Sequence, residues 1–244
     1  MKNNRREELM IHAWHDEYLN IKLDDYILSF DDGLVSQVNG IKKIVEKFPD
    51  IEIRYYVSTG IININKDEQL FNESDIAHRN FKQNGICGDF VSIDDLIILS
   101  KIPNVVIGLH GHDHLDLQKI QQNFSLTDQF KMQESDIKKM YNMSKRLDEF
   151  GIVDFNNTIH FCMPYNQSFP LYVSKMRKVF SEKYPDAEFI IAKTDRSDIN
   201  TFASAPTFLE RYSNLLNTDQ IKAVKLMRNI PLFLVNSSIE NIRN

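Results

Sequence analysis

Short apolar runs alternate with amphipathic stretches along most of the chain, and this alternation predicts an α/β fold. The runs rich in β-branched and aromatic residues predict strands at residues 26–30, 52–57, 104–109, 158–162, 188–192 and 231–235. Apolar residues at helical spacing predict helices at residues 34–48, 92–99, 135–150, 171–184 and 219–228. Because strands and helices alternate, we expect a parallel sheet or a barrel.

One long segment interrupts this alternation. Residues 58–91 are mostly polar and are predicted to form an elaborated loop. Loops of this length are uncommon in compact domains and often carry function. The segment is therefore a candidate for substrate contacts, with His78, Arg79 and Asp89 as its candidate side chains. A solvated insertion is the alternative.

Two adjacent carboxylates, Asp31 and Asp32, follow the predicted strand 26–30. Their burial at the end of an apolar strand costs free energy unless a cation or hydrogen-bond donors receive them. A divalent cation could bind one carboxylate and leave the other free as a base, if the chain turns here. Gly33 permits such a turn. Alternatively, the two aspartates cap the following helix.

Three histidines, His110, His112 and His114, follow the predicted strand 104–109. If the chain enters a helical turn here, His110 and His114 lie on one face and can share one ion. Pairing of His110 with His112 on an extended chain is an alternative, and a polar surface loop is another. With Asp32, the first pair would form a two-histidine, one-carboxylate ligand set, which leaves coordination positions open for water and substrate.

A Pro-Tyr turn, Pro164 and Tyr165, follows the predicted strand 158–162. The backbone N–H of Tyr165 would lie at the same edge of the sheet, where it could stabilise an oxyanion. An ordinary turn is the alternative.

The order of these motifs resembles that of the polysaccharide deacetylases, the NodB-homology enzymes of carbohydrate esterase family four. Ser-Phe-Asp-Asp-Gly at residues 29–33, His-x-x-x-His at 110–114 and Pro-Tyr at 164–165 carry the resemblance, which extends over roughly residues 26–212. It implies an α/β fold of the distorted (β/α)7 barrel type. The domain would span residues 25–244, and residues 1–24 would form an N-terminal extension.

The resemblance also implies the roles of individual residues. It implies a divalent metal ion, most simply zinc, with the ligands Asp32, His110 and His114. Asp31 would be the general base that takes the proton of the attacking water, and the Tyr165 N–H would stabilise the oxyanion. Arg211 resembles a later arginine that would orient Asp31. The implied reaction removes acetate from an N-acetylated sugar or glycoconjugate.

The chain departs from the family pattern at two places. Cys162 and Met163 stand where many members have an arginine before the Pro-Tyr turn. Asn236 stands where the family's late Leu-His motif supplies a general acid, and no histidine follows His160. Protonation of the leaving group would then fall to another group, to water, or to Asp31 after it has gained a proton.

The composition excludes several other classes of protein. A net charge of −5 gives no basic surface for nucleic-acid phosphates. The two cysteines, Cys87 and Cys162, are too few for a disulfide framework or a thiolate zinc site. No apolar run is long enough to span a membrane, and none resembles a secretory signal. We therefore expect a cytoplasmic protein with a small-molecule or glycan substrate.

Two other functions fit the same motifs. The first is an amidohydrolase that keeps the metal site but acts on an amide outside sugars, such as a ureide or imide ring. The second is a catalytically silent barrel that binds a glycan at its mouth.

Overall fold

A computed structural model describes residues 6–70 and 73–199 of the chain. Within them, one sheet contains β1 (Glu7–Ile11), β2 (Tyr26–Phe30), β3 (Ile53–Val57), β4 (Val105–Leu109), β5 (Thr158–Phe161), β6 (Glu188–Ile191) and β7 (Ser197–Asp198). The strand order is β6-β5-β4-β3-β2-β1-β7, and every pairing is parallel. The carboxyl ends of all seven strands therefore lie along one edge of the sheet.

The helices between the strands complete the alternation. The described residues contain α1 (Val35–Lys47), α2 (Ser74–Asn84), α3 (Ile93–Ser100), α4 (Leu117–Asn123), α5 (Leu126–Glu149) and α6 (Pro170–Ser181). Seven parallel strands in nearly sequential order confirm the predicted α/β class and its distorted (β/α)7 arrangement. None of the described helices has both the length and the apolar character that a membrane span requires.

The strands lie where the apolar runs predicted them. β2 has the predicted bounds, and β3 to β6 differ from prediction by one residue at one end. The central strands are buried on both faces, as is typical of parallel sheets. A core beside β4 and β5 packs Leu109 and Phe161 against Met140 of α5 and Phe180 of α6.

Five elements differ from the prediction: β1, α2, α4 and β7 were not predicted, and α5 begins earlier than predicted. β1 lies within residues 1–24, where we expected no strand, and pairs with both β2 and β7. α2 lies inside the predicted loop 58–91; of its residues only Ala77 and His78 are buried, so its sequence lacks a clear apolar period. α5 begins at Leu126 instead of residue 135, because its first turns are exposed and follow no apolar pattern.

The predictions for residues 201–244 lie outside the described residues. They comprise the predicted helix 219–228, the predicted strand 231–235, Arg211 and Asn236.

The capping box before α3 provides a test of the fold upstream of β4. Ser92 Oγ accepts a hydrogen bond from the Asp95 N–H at 3.2 Å, and Asp95 Oδ2 accepts one from the Ser92 N–H at 2.9 Å. We expect Ser92→Ala to lower the free energy of unfolding by about 1 kcal/mol, and Ser92→Gly by only a few tenths. Urea denaturation measures both, and equal losses would contradict the capping role.

Candidate active site

The chain turns sharply where β2 ends. Asp32 and Gly33 have φ angles of +76° and +82°, in the left-handed region that few residues other than glycine adopt. The turn thus begins at Asp32, one residue before Gly33, where the sequence predicted it. It sends the neighbouring carboxylates of Asp31 and Asp32 to different partners, and both are buried.

Asp32, His110 and His114 form a buried group that we call the Asp-His-His cluster. One ligand atom from each residue lies within 4.8 Å of the other two. Oδ1 of Asp32 lies 3.4 Å from Nε2 of His110 and 3.0 Å from Nε2 of His114. The structure thus brings together the three residues that the motifs singled out as metal ligands.

A loop, and not a helical turn, brings the two histidines together. The chain is irregular from His110 until α4 begins at Leu117. Gly111 and His114 both have positive φ angles, of +78° and +49°, and these reverse the chain so that the two imidazole centroids lie 5.1 Å apart. His112 points elsewhere, with Nδ1 2.9 Å from Oγ1 of Thr59.

The donor atoms of this cluster fit a divalent cation. Nδ1 of His110 lies 3.0 Å from the carbonyl oxygen of Cys162, which can only accept a hydrogen bond. A neutral His110 therefore carries its proton on Nδ1 and directs the Nε2 lone pair at Oδ1 of Asp32. Two acceptors in this position need a cation or a proton between them. Such a backbone partner is a typical means of fixing a metal-binding histidine.

The protonation states of His114 and Asp32 also suit a cation. Burial would lower the pKa of His110, but in the metal-free protein the hydrogen bond to Asp32 and the charges of Asp31 and Asp32 raise it overall. Burial lowers the pKa of His114 to about 4, so its ring is neutral at pH 7, as metal binding requires. Burial alone would raise the pKa of Asp32, but its interactions with the imidazoles of His110, His114 and His78 outweigh burial and hold that pKa well below its usual value. Asp32 is therefore an ionised carboxylate.

The second carboxylate, Asp31, is held by a buried arginine that the sequence analysis missed. Nη1 and Nη2 of Arg196 donate to Oδ1 and Oδ2 of Asp31 at 2.9 and 2.6 Å. Burial would raise the pKa of Asp31, but the charge and hydrogen bonds of Arg196 lower it overall. Arg211, the predicted partner, lies outside the described residues. Arg196 follows β6, and a search for cations after each predicted strand would have found it.

A second group of possible ligands, Asp31, His110 and Cys162, also lies within 4.8 Å. It does not fit a cation, because the guanidinium of Arg196 already contacts both Oδ2 of Asp31 and Sγ of Cys162, the latter at 2.9 Å. Burial and the charge of Asp31 raise the pKa of the Cys162 thiol well above its ordinary value. This thiol stays protonated and is a poor metal ligand.

Tyr165 lies at the mouth of the site. Its side chain is exposed, and its ring centroid is 4.8 Å from that of His114. Tyr165 and Asn166 have φ angles of +59° and +51°, so the Pro-Tyr turn is strained at two successive residues. Asn166 accepts a hydrogen bond from Arg196, which ties this turn to Asp31. The oxyanion role of the Tyr165 N–H stays a prediction.

A buried carboxyl group outside the motifs shapes the histidine loop. Asp136, in α5, accepts hydrogen bonds from the backbone N–H groups of His112 and Asp113 at 3.2 and 2.7 Å. The hydroxyl of Tyr172 donates to the same carboxyl group. Because Asp136 lies in the middle of a helix far along the chain, nothing in the sequence indicated this contact.

The three candidate side chains of residues 58–91 have different environments. His78 is buried in α2, and its ring stacks on that of His114 with centroids 4.1 Å apart. Asp89 is buried. Arg79 is exposed and pairs with Asp75 at 3.6 Å. His78 therefore contacts the Asp-His-His cluster directly.

Comparisons with known proteins add a few distant similarities. No model of a known protein family matches the chain, and no curated protein matches it. IcaB from Ammonifex degensii matches with a TM-score of 0.45 at 15% identity, over 77% of this chain and 72% of that one. A de-N-acetylase from Aggregatibacter actinomycetemcomitans matches with a TM-score of 0.45 at 14% identity, over 69% and 67%. Similarities this distant do not establish function, which has to be inferred from the site.

The buried ion pair of Asp31 and Arg196 predicts strong energetic coupling. In metal-free protein, Asp31→Asn and Arg196→Gln should each lower the free energy of unfolding by about 3–5 kcal/mol, because each leaves one buried charge without its partner. The double variant should lose much less than the sum. Urea denaturation of the four proteins measures this coupling. The exposed pair Lys22 and Asp25 is the control and should show no measurable coupling, whereas additive losses at the buried pair would contradict its role.

The contacts of Asp136 predict that its substitution lowers the free energy of unfolding. Asp136→Ala leaves two backbone N–H groups without their acceptor, so we expect the free energy of unfolding to fall by about 2–4 kcal/mol. Tyr172→Phe removes only one hydroxyl and should cost less. Urea denaturation compares the two variants, and a loss below about 0.5 kcal/mol for Asp136→Ala would show that the loop does not depend on this carboxyl group.

Proposed function

We propose that this chain is a metal-dependent N-deacetylase that hydrolyses an acetamide on a sugar or glycoconjugate and releases acetate. The observation that most supports this proposal is that two adjacent buried carboxylates at one turn have different partners. Asp32 joins two histidines in a group that fits a cation, whereas Asp31 beside it is ionised and paired with Arg196. Among the described residues, three side chains would serve as ligands at the first site, a number that is typical of catalytic centres.

The two carboxylates would divide the work of amide hydrolysis. Asp32, His110 and His114 would hold a divalent ion, most simply zinc, which would supply Lewis-acid chemistry toward a carbonyl oxygen and water. Asp31 would accept the proton of the attacking water as general base. Arg196 would hold the Asp31 carboxylate in one orientation by two hydrogen bonds and keep it ionised.

Two further groups would complete the reaction. The N–H of Tyr165, at the strained turn after β5, would donate to the oxyanion that forms when water attacks the amide. Asp31 would then return its proton to the departing amine, since Asn236 stands where related enzymes have a histidine. One residue would thus serve first as base and then as acid.

An Asp31→Asn variant tests the proposal. We expect it to bind one zinc ion per chain like the wild type, because Asp31 is not in the Asp-His-His cluster. Its rate of acetate release from N-acetylated sugars should fall by about 10²–10⁴, because the general base is lost. Acetate release and metal content measure the two effects separately.

Asp113→Asn is the matched control. Asp113 lies in the histidine loop, but its side chain is partly exposed and pairs with Lys139 at 3.0 Å. This variant should keep both zinc and activity. If the zinc-loaded wild type releases acetate from no N-acetylated sugar but opens a ureide or imide ring, the substrate class is wrong. If it hydrolyses neither, the enzymatic function is wrong.

A further inference from the structure

One face of α2 contacts the candidate site along three turns. Ser74, His78 and Lys82 are spaced four residues apart, so their side chains lie on the same side of the helix. Each approaches a different part of the site. Ser74 contacts Asp32, His78 contacts both Asp32 and His114, and Nζ of Lys82 lies 3.4 Å from the hydroxyl of Tyr165.

The first two of these side chains approach both oxygens of the Asp32 carboxylate. Ser74 Oγ donates to Oδ2 at 2.5 Å. Nε2 of His78 lies 3.5 Å from Oδ1, the oxygen that also faces His110 and His114. α2 therefore restricts rotation of the carboxylate about its side-chain bonds and leaves Oδ1 directed at the two histidines.

His78 does not have the geometry of a further ligand in this arrangement. Its ring is nearly parallel to that of His114, with an interplanar angle of 17° and centroids 4.1 Å apart. The lone pair of an imidazole nitrogen lies in the ring plane, so two stacked rings cannot direct their lone pairs at one ion. No nitrogen of His78 belongs to the 4.8 Å cluster that the described residues form. His78 thus lies outside the ligand set, against the side of a ligand.

The environment of His78 nevertheless indicates a specific role. Its side chain is 10% exposed, and neither ring nitrogen has a hydrogen-bond partner at normal distance among the described residues. Burial of an imidazole without a hydrogen-bond partner is unfavourable for folding. Because Nε2 of His78 already lies 3.5 Å from Oδ1 of Asp32, a small shift of the ring toward Oδ1 would give Nε2–H a hydrogen-bond acceptor.

We propose that Ser74 and His78 are positioning residues that orient the Asp32 carboxylate and thereby set the affinity of the cluster for its metal ion. This inference rests on the metal site of the proposed function and adds two residues that act on it through Asp32. Hydrogen-bonding partners of metal ligands typically change metal affinity by about 10–100-fold when they are removed.

Zinc affinity, measured by competition with a chromophoric chelator, tests the proposal without any substrate. We expect Ser74→Ala to raise the zinc Kd by about 10–100-fold, because Oδ2 loses its donor. Ser74→Thr keeps a hydroxyl and should restore the wild-type Kd to within a few-fold. His78→Phe keeps an aromatic ring against His114 but removes the donor, and its Kd should also rise.

Arg79→Ala provides the matched control on the same helix. Arg79 is exposed and pairs with Asp75, so its loss should leave the zinc Kd unchanged. The melting temperature of each metal-free variant shows whether α2 remains folded. A rise in Kd that Ser74→Thr does not reverse, or that Arg79→Ala reproduces, would reduce α2 to a structural element and overturn the proposal.

The outcomes separate this inference from the proposed function. If wild-type protein binds zinc and Ser74→Ala and His78→Phe bind it equally well, the positioning role is wrong and the deacetylase proposal stands. If both variants weaken zinc binding but the wild type hydrolyses no amide, the positioning role stands and the enzymatic proposal fails. If the wild type binds no zinc, both are overturned.

Discussion

The site depends on one electrostatic constraint: two adjacent carboxylates, Asp31 and Asp32, are buried at the end of β2. Each needs positive charge or hydrogen-bond donors, since an isolated buried carboxylate is very unfavourable. The left-handed turn at Asp32 and Gly33 separates their partners. Asp31 receives the guanidinium of Arg196, and Asp32 receives the side chains of His110 and His114. The difference between these partners is the basis for two different chemical roles.

Local strain is concentrated at the same edge of the sheet. Of the five residues other than glycine with positive φ among those described, Asp32, His114, Tyr165 and Asn166 lie at the site, and Lys66 is the fifth. Such conformations persist only where surrounding contacts hold them. Asp136 supplies contacts for the histidine loop, and Nε2 of Gln37 in α1 donates to the carbonyl of Asp31 at 2.6 Å. The supporting contacts come from elements distant in sequence.

The sequence predicted what depends on local pattern and missed what depends on tertiary contact. Apolar runs located β2 to β6, and the motifs at their ends predicted which side chains meet. Arg196 and Asp136 carried no local signal of their partners, which lie 165 and 24 residues away in sequence. The segment that forms α2 was predicted to be a loop, because this helix packs through few side chains and its sequence therefore lacks a broad apolar face. Its contacts with Asp32 were therefore also missed.

X-ray absorption spectroscopy of the zinc-loaded protein tests the central claim most directly, because it identifies the atoms around the metal. The Asp-His-His cluster predicts a shell of nitrogen and oxygen atoms at about 2.0–2.1 Å, with the multiple-scattering signature of two imidazoles. A sulfur scatterer at about 2.3 Å would place the ion instead among Asp31, His110 and Cys162, where Arg196 now lies. That result would remove the free base and contradict the account.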